Sequence, residues 1–124
     1  MVYLAGPYRS NSIWGVKRNI EAAAVVAREL WAMGLPTICP HLNTGLMDGL
    51  DIDCSVFLDG DLEMLERSDL MVVLPNYERS QGTLAEIEHA RSGKCGDMPI
   101  FYWPEDREVL RTIAAEPPAC RKVA

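Results

Sequence analysis

Leu70-Met71-Val72-Val73-Leu74 is a continuous apolar run in a chain of 124 residues. A strand that is covered by helices on both faces has this pattern, whereas a half-exposed strand alternates apolar and polar residues. The run therefore predicts the central strand of a parallel sheet. Shorter segments on both sides of it predict three further strands: Val2–Ala5, Leu35–Cys39 and Pro99–Trp103.

Helical patterns separate these strands. The predicted helices are Ile13–Met33, Ser55–Arg67, Gln81–Ser92 and Glu105–Ala115. In the first helix, Ser12 is expected to cap the N-terminus, and an apolar stripe from Ile13 to Leu30 is expected to face the core. The apolar side of the second helix is expected to contain Phe57, Leu58, Leu62 and Leu65. The segments His41–Asp53 and Pro75–Ser80 are predicted to be loops.

The alternation of strands and helices predicts an α/β fold, because parallel strands are joined by helical crossovers. We expect a single-domain, doubly wound three-layer sandwich of the Rossmann or flavodoxin-like type, with a parallel sheet of four to five strands. Residues 1–116 are predicted to form this domain. Residues 117–124, which begin with Pro117-Pro118, are predicted to be a loose C-terminal tail.

The composition excludes several classes of protein. The chain has 12 Lys and Arg against 18 Asp and Glu, a formal net charge of −6, which argues against a nucleic-acid polymer as partner. No apolar run approaches the roughly 18 residues of a membrane span, and no basic segment opens a signal peptide. We therefore expect a cytoplasmic protein that does not bind membranes.

No metal or other cofactor is predicted. The four cysteines are scattered without a Cys-x-x-Cys pair, so reduced and mostly buried thiols are expected. Asp48, Asp51 and Asp53 lack the glycine and the terminal glutamate of a calcium-binding EF-hand loop.

Open parallel sheets bind ligands at the carboxyl ends of their strands. At the end of the first strand, Gly6 permits a close backbone approach, and Arg9 could pair with a phosphate or carboxylate, with Tyr8 between them. The alternative is an ordinary turn with a solvated arginine. After the second strand, His41 and Asn43 could touch a ligand, or His41 could merely cap the strand end.

The third strand leads into Ser80-Gln81-Gly82-Thr83-Leu84-Ala85-Glu86. Gly82 and Thr83 lie in the first helical turn, where hydroxyl and N–H groups can hold sugar or phosphate oxygens. Glu86 follows Gly82 by four residues and shares its helix face. The alternative is that Glu86 only complements the helix dipole. His89, one turn deeper on that face, is expected to be structural.

A pair of carboxylates, Asp59 and Asp61, lies early in the second predicted helix. Their alternative role is that of a solvated acidic helix start, which the helix dipole favours. The functional interpretation makes Asp61 a proton donor or a sugar ligand that faces the cleft.

Three motifs in order resemble the nucleoside 2-deoxyribosyltransferase superfamily, which includes the deoxynucleoside 5′-monophosphate N-glycosidases. The resemblance covers roughly residues 2 to 103. The matching motifs are Val2-Tyr3-Leu4-Ala5-Gly6-Pro7-Tyr8-Arg9, Asp61-Leu62-Glu63-Met64-Leu65-Glu66-Arg67-Ser68-Asp69 and Ser80-x-Gly82-Thr83-x-x-Glu86-x-x-x-Ala90. Pro40-His41 also resembles the Pro-His pair of a small subgroup of that superfamily.

The resemblance implies an N-glycosidic-bond enzyme with three catalytic positions. Glu86 would be the nucleophile, Asp61 would handle the proton of the leaving base, and Tyr3 would orient Glu86. The helix start and the Tyr3 hydroxyl are expected to keep Glu86 ionised, whereas the pKa of Asp61 is expected to be raised. The sugar and any 5′-phosphate would be lined by Gly6, Arg9, Ser80 and Gly82.

The motifs leave the substrate and the type of activity open. Gly82-Thr83 resembles the transferases, whereas Ser80 and Arg9 resemble phosphate-binding relatives, so the substrate is a nucleoside or a nucleoside 5′-monophosphate. A module that binds or senses a nucleotide derivative without turnover is an alternative, and so is an enzyme that cleaves NAD or ADP-ribose. The resemblance and the long helix with Trp14 and Trp31 predict a homodimer or a higher homo-oligomer.

Overall fold

The fold is a four-stranded, all-parallel sheet between helices, as a computed structural model describes it for residues 1–116. The strands are β1 (Val2–Ala5), β2 (Thr37–Ile38), β3 (Leu70–Val73) and β4 (Ile100–Tyr102), in the spatial order β2-β1-β3-β4. The helices are α1 (Ile13–Ala32), α2 (Pro40–Asn43), α3 (Cys54–Glu66), α4 (Gln81–Arg91) and α5 (Arg107–Ala115), with a 3₁₀ turn at Tyr77–Arg79. The predicted tail over residues 117–124 lies outside the described residues.

Two apolar clusters cover the two faces of the sheet and make it the middle of three layers. Alternate residues of a strand point to opposite faces, so Leu4 packs with Leu30 of α1 and Leu110 of α5. Tyr3 points the other way and packs with Leu65 of α3 and Ile87 of α4. The predicted α/β class and the buried central strand are therefore confirmed.

The segment after β2 differs from the prediction. The strand pairs only over Thr37–Ile38 rather than Leu35–Cys39, and the predicted loop His41–Asp53 begins inside the short helix α2. Pro40 explains the helix, because proline favours the first helical turn, where its missing N–H is not needed. The short helix buries His41 against the end of β1.

Two predicted core positions are wrong. Ile13 is 72% exposed and Leu58 is 57% exposed. The core contacts of α1 come from its second half, between Ala23 and Leu30, so the first turn of this helix contributes nothing to the core. Within residues 1–116, no helix has the length and apolarity of a membrane span.

Candidate functional site

The strand order predicts where a ligand would bind. The chain passes from β1 to β2 on one side of the sheet and continues through β3 to β4 on the other. In open parallel sheets, ligands bind in a crevice at such a change of direction, between the loops that follow the two inner strands. The residues that follow β1 and β3 are therefore the first candidates for a site.

Tyr3 and Glu86 are joined at this place although 83 residues separate them in the chain. Tyr3 is fully buried in β1, and its hydroxyl donates a hydrogen bond to Oε2 of Glu86. Glu86 lies on α4, half-buried, between the buried residues Thr83 and Ile87. Strand β1 thus holds the carboxylate of Glu86 through a neutral hydrogen-bond donor, the Tyr3 hydroxyl.

The start of α4 fixes the position of Glu86. The Ser80 side chain caps the helix by accepting from the backbone N–H of Thr83 at 3.2 Å. The Thr83 hydroxyl donates to Ser80 Oγ at 2.9 Å and is 1% exposed. Thr83 is therefore part of the cap, and its contact with a substrate stays a prediction.

Asp61 reaches the same interior from α3. It is half-buried, and burial raises its pKa to about 6. Its charge is near enough to raise the pKa of Glu86 and of Tyr3. Asp59, two residues earlier, is exposed. The structure therefore brings Asp61, Glu86 and Tyr3 together and leaves Asp59 outside.

The pKa of Glu86 differs from the expectation of a fully ionised nucleophile. Burial raises it to about 7, Tyr3 lowers it by donating to the carboxylate, and the charge of Asp61 raises it. Burial outweighs the hydrogen bond because the charged form loses its hydration. With pKa values of about 6 and about 7, the pair holds about one proton in that pH range.

Tyr3 stays protonated throughout this range. Burial and then the charge of Glu86 raise its pKa well above the ordinary value for tyrosine. The hydroxyl is therefore a permanent donor to Glu86. Tyr3 is a positioning residue because it acts through Glu86.

Cys39 also belongs to this interior, although the sequence motifs do not include it. It is 3% exposed, and burial raises the pKa of its thiol to about 11, with smaller contributions from Glu86 and Asp61. At neutral pH it is a neutral wall beside the two carboxyl groups. Its place directly after β2, at the carboxyl end of that strand, is the signal that could have found it.

The turn after β1 is built by packing and by hydrogen bonds. A Cβ atom at Gly6 would lie 2.5 Å from Leu74 Cδ1, so the glycine is required by a neighbouring strand end. His41 is 5% exposed, and its Nε2 lies 2.8 Å from the carbonyl oxygen of Pro7, while its ring meets the edge of Tyr8. Burial lowers the pKa of His41, so the ring is neutral and Nε2–H donates.

His41 therefore supports the turn after β1, and a contact with a ligand stays a prediction. Its Nδ1 is buried and has no hydrogen-bond partner in the described part of the chain. Asn43, at the end of α2, is exposed. His89 lies 2.7 Å from Glu66 Oε1 and ties α4 to α3, which agrees with the structural role expected for it.

Tyr8 and Arg9 face the loop that follows α2. The Tyr8 hydroxyl accepts from the backbone N–H of Leu46 at 2.9 Å and donates to Asp48 Oδ1 at 3.1 Å. Arg9 is exposed and lies 3.7 Å from Asp48 Oδ2. Gly82, by contrast, is exposed in the first turn of α4, and a Cβ atom there would approach nothing closer than 4.0 Å. Gly82 is therefore open to a ligand.

A cavity of about 230 Å³ lies at the carboxyl ends of β3 and β4. It is lined by Val73, Leu74, Pro75, Asn76, Tyr77, Glu78, Tyr102, Trp103 and Glu105. Glu86, Asp61 and Tyr3 do not line it, so the carboxyl pair is a separate feature. Within residues 1–116, no group of three or more His, Cys, Asp and Glu side chains is arranged to hold a metal ion.

The comparisons with known proteins identify a family of unknown function. A family model described as a domain of unknown function, DUF7768, matches residues 1–101. No curated protein matches the chain. The matched segment contains Tyr3, Asp61 and Glu86, and it reaches into the last strand of the sheet. The chain therefore belongs to the DUF7768 family.

Proposed function

We propose that this protein cleaves or transfers the N-glycosidic bond of a nucleoside or deoxynucleoside, or of its 5′-monophosphate. The proposal agrees with the resemblance to the nucleoside 2-deoxyribosyltransferase superfamily. The single observation that carries it is the part-buried hydrogen bond from Tyr3 to Glu86, with Asp61 beside the same carboxylate. Two carboxyl groups of this kind are the usual equipment for glycosyl transfer with retention.

In the first step, a carboxylate oxygen of Glu86 attacks the anomeric carbon of the sugar. The bond between that carbon and the base nitrogen breaks, and its electron pair leaves with the base. Asp61 gives its proton to the departing base, and the sugar is left as an ester on Glu86. Covalent capture divides one difficult displacement into two easier steps.

In the second step, water or an acceptor base attacks the anomeric carbon and releases Glu86. Asp61, now ionised, takes the proton from the attacking group. Water as acceptor makes the protein a hydrolase, and a second base makes it a transferase. The neutral Tyr3 donor offsets negative charge on Glu86 whenever the carboxylate is free.

The shared proton of the carboxyl pair suits this division of roles. The reactive form has Glu86 ionised and Asp61 protonated. Burial raises the pKa of both carboxyl groups, so one proton shared by the pair near neutral pH allows this form.

The start of α4 offers groups that can bind the sugar. Gly82 and the hydroxyl of Ser80 are the best candidates to bind the sugar at the start of α4, with Arg9 across the crevice.

We further propose a homodimer or a higher homo-oligomer that works in the cytoplasm on a small molecule. Trp14 and Trp31 are 70% and 57% exposed, which supports a second copy on α1. Sizing chromatography tests that part.

Release of free base tests the activity. Wild type and Glu86→Gln are incubated with purine and pyrimidine deoxynucleosides and their 5′-monophosphates. We expect base release by wild type and a loss of at least about a thousandfold in the variant. Glu88→Gln is the matched control, because Glu88 is an exposed glutamate on the same helix. Equal release by Glu86→Gln and wild type would refute the proposed role of Glu86.

A further inference from the structure

Asp48 is the acidic partner of both candidate ligand residues in the turn after β1. One of its carboxylate oxygens accepts from the Tyr8 hydroxyl at 3.1 Å, and the other lies 3.7 Å from Arg9 Nη1. The same hydroxyl accepts the backbone N–H of Leu46 at 2.9 Å. Asp48 belongs to the loop that follows α2, and these contacts hold it beside the turn after β1.

These contacts weaken the binding of a dianionic ligand at the turn after β1, because they already engage Tyr8 and Arg9. The donor and one acceptor position of the Tyr8 hydroxyl are in use, so Tyr8 has no proton to offer a phosphate. The positive charge of Arg9 faces the carboxylate of Asp48. A phosphate that bound Arg9 would therefore be placed against a second negative charge.

A sugar hydroxyl fits the same pair without a conflict of charge. A hydroxyl is both a donor and an acceptor, so it can donate to Asp48 and accept from Arg9. The distance of 3.7 Å between Arg9 Nη1 and Asp48 Oδ2 exceeds an ordinary direct hydrogen bond, so a small polar group can bridge the two.

We propose that Asp48 is the specificity-determining residue of this site. Its carboxylate pairs with the guanidinium of Arg9, so the site favours the free 5′-hydroxyl of a nucleoside and disfavours a 5′-monophosphate. This inference rests on the proposed function and chooses between the substrates that it leaves open. Both side chains are exposed, at 74% for Arg9 and 59% for Asp48, so solvent and salt weaken the effect. We expect a preference of about tenfold, which corresponds to about 1.4 kcal/mol.

The test compares a deoxynucleoside with its own 5′-monophosphate in wild type and in Asp48→Asn. We expect wild type to have the higher kcat/KM for the nucleoside. The variant should raise the ratio of monophosphate to nucleoside about tenfold at low ionic strength, and the gain should shrink as salt is added. Adding Arg9→Ala to the variant should abolish the gain, since the freed arginine is its cause.

Asp51→Asn is the matched control. It removes one negative charge from the same loop, where Asp51 is exposed and has no hydrogen bond or ion pair with any residue from 1 to 116. We expect it to leave the substrate ratio unchanged. An equal gain in Asp51→Asn would replace the local role of Asp48 by a general effect of net charge.

Calorimetric titration with the same two ligands separates this inference from the proposed function. A shift of the binding ratio in Asp48→Asn, without base release by any variant, supports Asp48 and refutes catalysis. Base release with an unchanged ratio supports catalysis and refutes the role of Asp48. A wild type that prefers the monophosphate also refutes that role, and failure of both ligands to bind refutes both proposals.

Discussion

The Tyr3 hydroxyl, on the inner strand β1, donates a hydrogen bond to Glu86 on helix α4. The strand residue is fully buried and the helix residue half-buried, so the bond lies where α4 packs on the sheet. A buried neutral donor stabilises the ionised form of a carboxyl group and opposes the effect of burial on its pKa. The chemistry that we propose depends on this balance.

Tyr3→Phe should move the pH dependence of activity. Removal of the hydroxyl takes away the one contribution that lowers the pKa of Glu86, so that pKa rises. The alkaline limb of the kcat/KM profile, which follows the pKa of about 7, should shift to higher pH, and activity should fall more at pH 6 than at pH 8. A loss that is equal at every pH would indicate a merely structural effect of the substitution.

The activity of wild type should follow a bell-shaped pH profile with its maximum between about pH 6 and pH 7. The reactive pair carries one proton, which is lost above the pKa of about 7 and joined by a second below about 6. Measurement of kcat/KM from pH 5 to pH 9 checks this. A flat profile across that range would contradict a shared proton.

Stability should fall as the pH rises toward 8, because the folded state raises the pKa of Glu86 from 4.5 to about 7. A carboxyl group with a raised pKa is favourable below its unfolded value, and that contribution is lost as the pH passes its folded value. Glu86→Gln, which cannot ionise, should therefore be more stable than wild type at pH 8 by up to about 3 kcal/mol. Urea unfolding at pH 5 and pH 8 measures the difference, with Glu88→Gln as control.

Asp61→Asn should slow base release while Asp59→Asn does not. The amide of asparagine cannot supply the proton that the leaving base needs, so we expect a loss of about a hundredfold to ten-thousandfold. Asp59 is exposed on the same helix and controls for the lost charge. The loss should be smallest for substrates whose base leaves without protonation. An equal loss for good and poor leaving groups would contradict proton donation by Asp61.

Two glycines should respond in opposite ways to alanine. Gly6→Ala places a Cβ atom 2.5 Å from Leu74 Cδ1, so it should lower the melting temperature markedly. Gly82→Ala has open space and should leave stability unchanged or raise it, since alanine favours a helix. Its effect should be on KM, because the new methyl group enters the crevice. A normal KM in Gly82→Ala would remove this turn from the substrate site.

Part of this molecule is readable from local pattern. The apolar run of β3 must be buried on both faces, and the glutamate four residues after Gly82 must share its helix face. The contacts of His41, Thr83 and Gly6 depend instead on which distant residue lies opposite, and single-sequence pattern does not contain that information. For His41 the sequence leaves a ligand contact and a cap of the strand end open, and the structure shows its ring donating to the Pro7 carbonyl. Thr83 lies in the first helical turn as predicted, but its side chain is buried.

The raised pKa of Glu86 also depends on contacts between residues that are distant in the chain. A helix start and a tyrosine donor favour the ionised form, but the depth of burial decides the balance. Burial follows from how α3 and α4 pack on the sheet, which the sequence motif does not specify. Cys39 likewise joins the site only because β2 ends beside β1.

Trapping of the sugar on Glu86 tests the central claim most directly. Wild type is mixed rapidly with a deoxynucleoside, quenched in acid, digested and analysed by peptide mass spectrometry, with Glu86→Gln in parallel. We predict a glycosyl ester on the peptide that contains Glu86, together with an equal amount of free base, and no adduct in the variant. Free base at the wild-type rate from Glu86→Gln, or an adduct on another residue, would contradict the account.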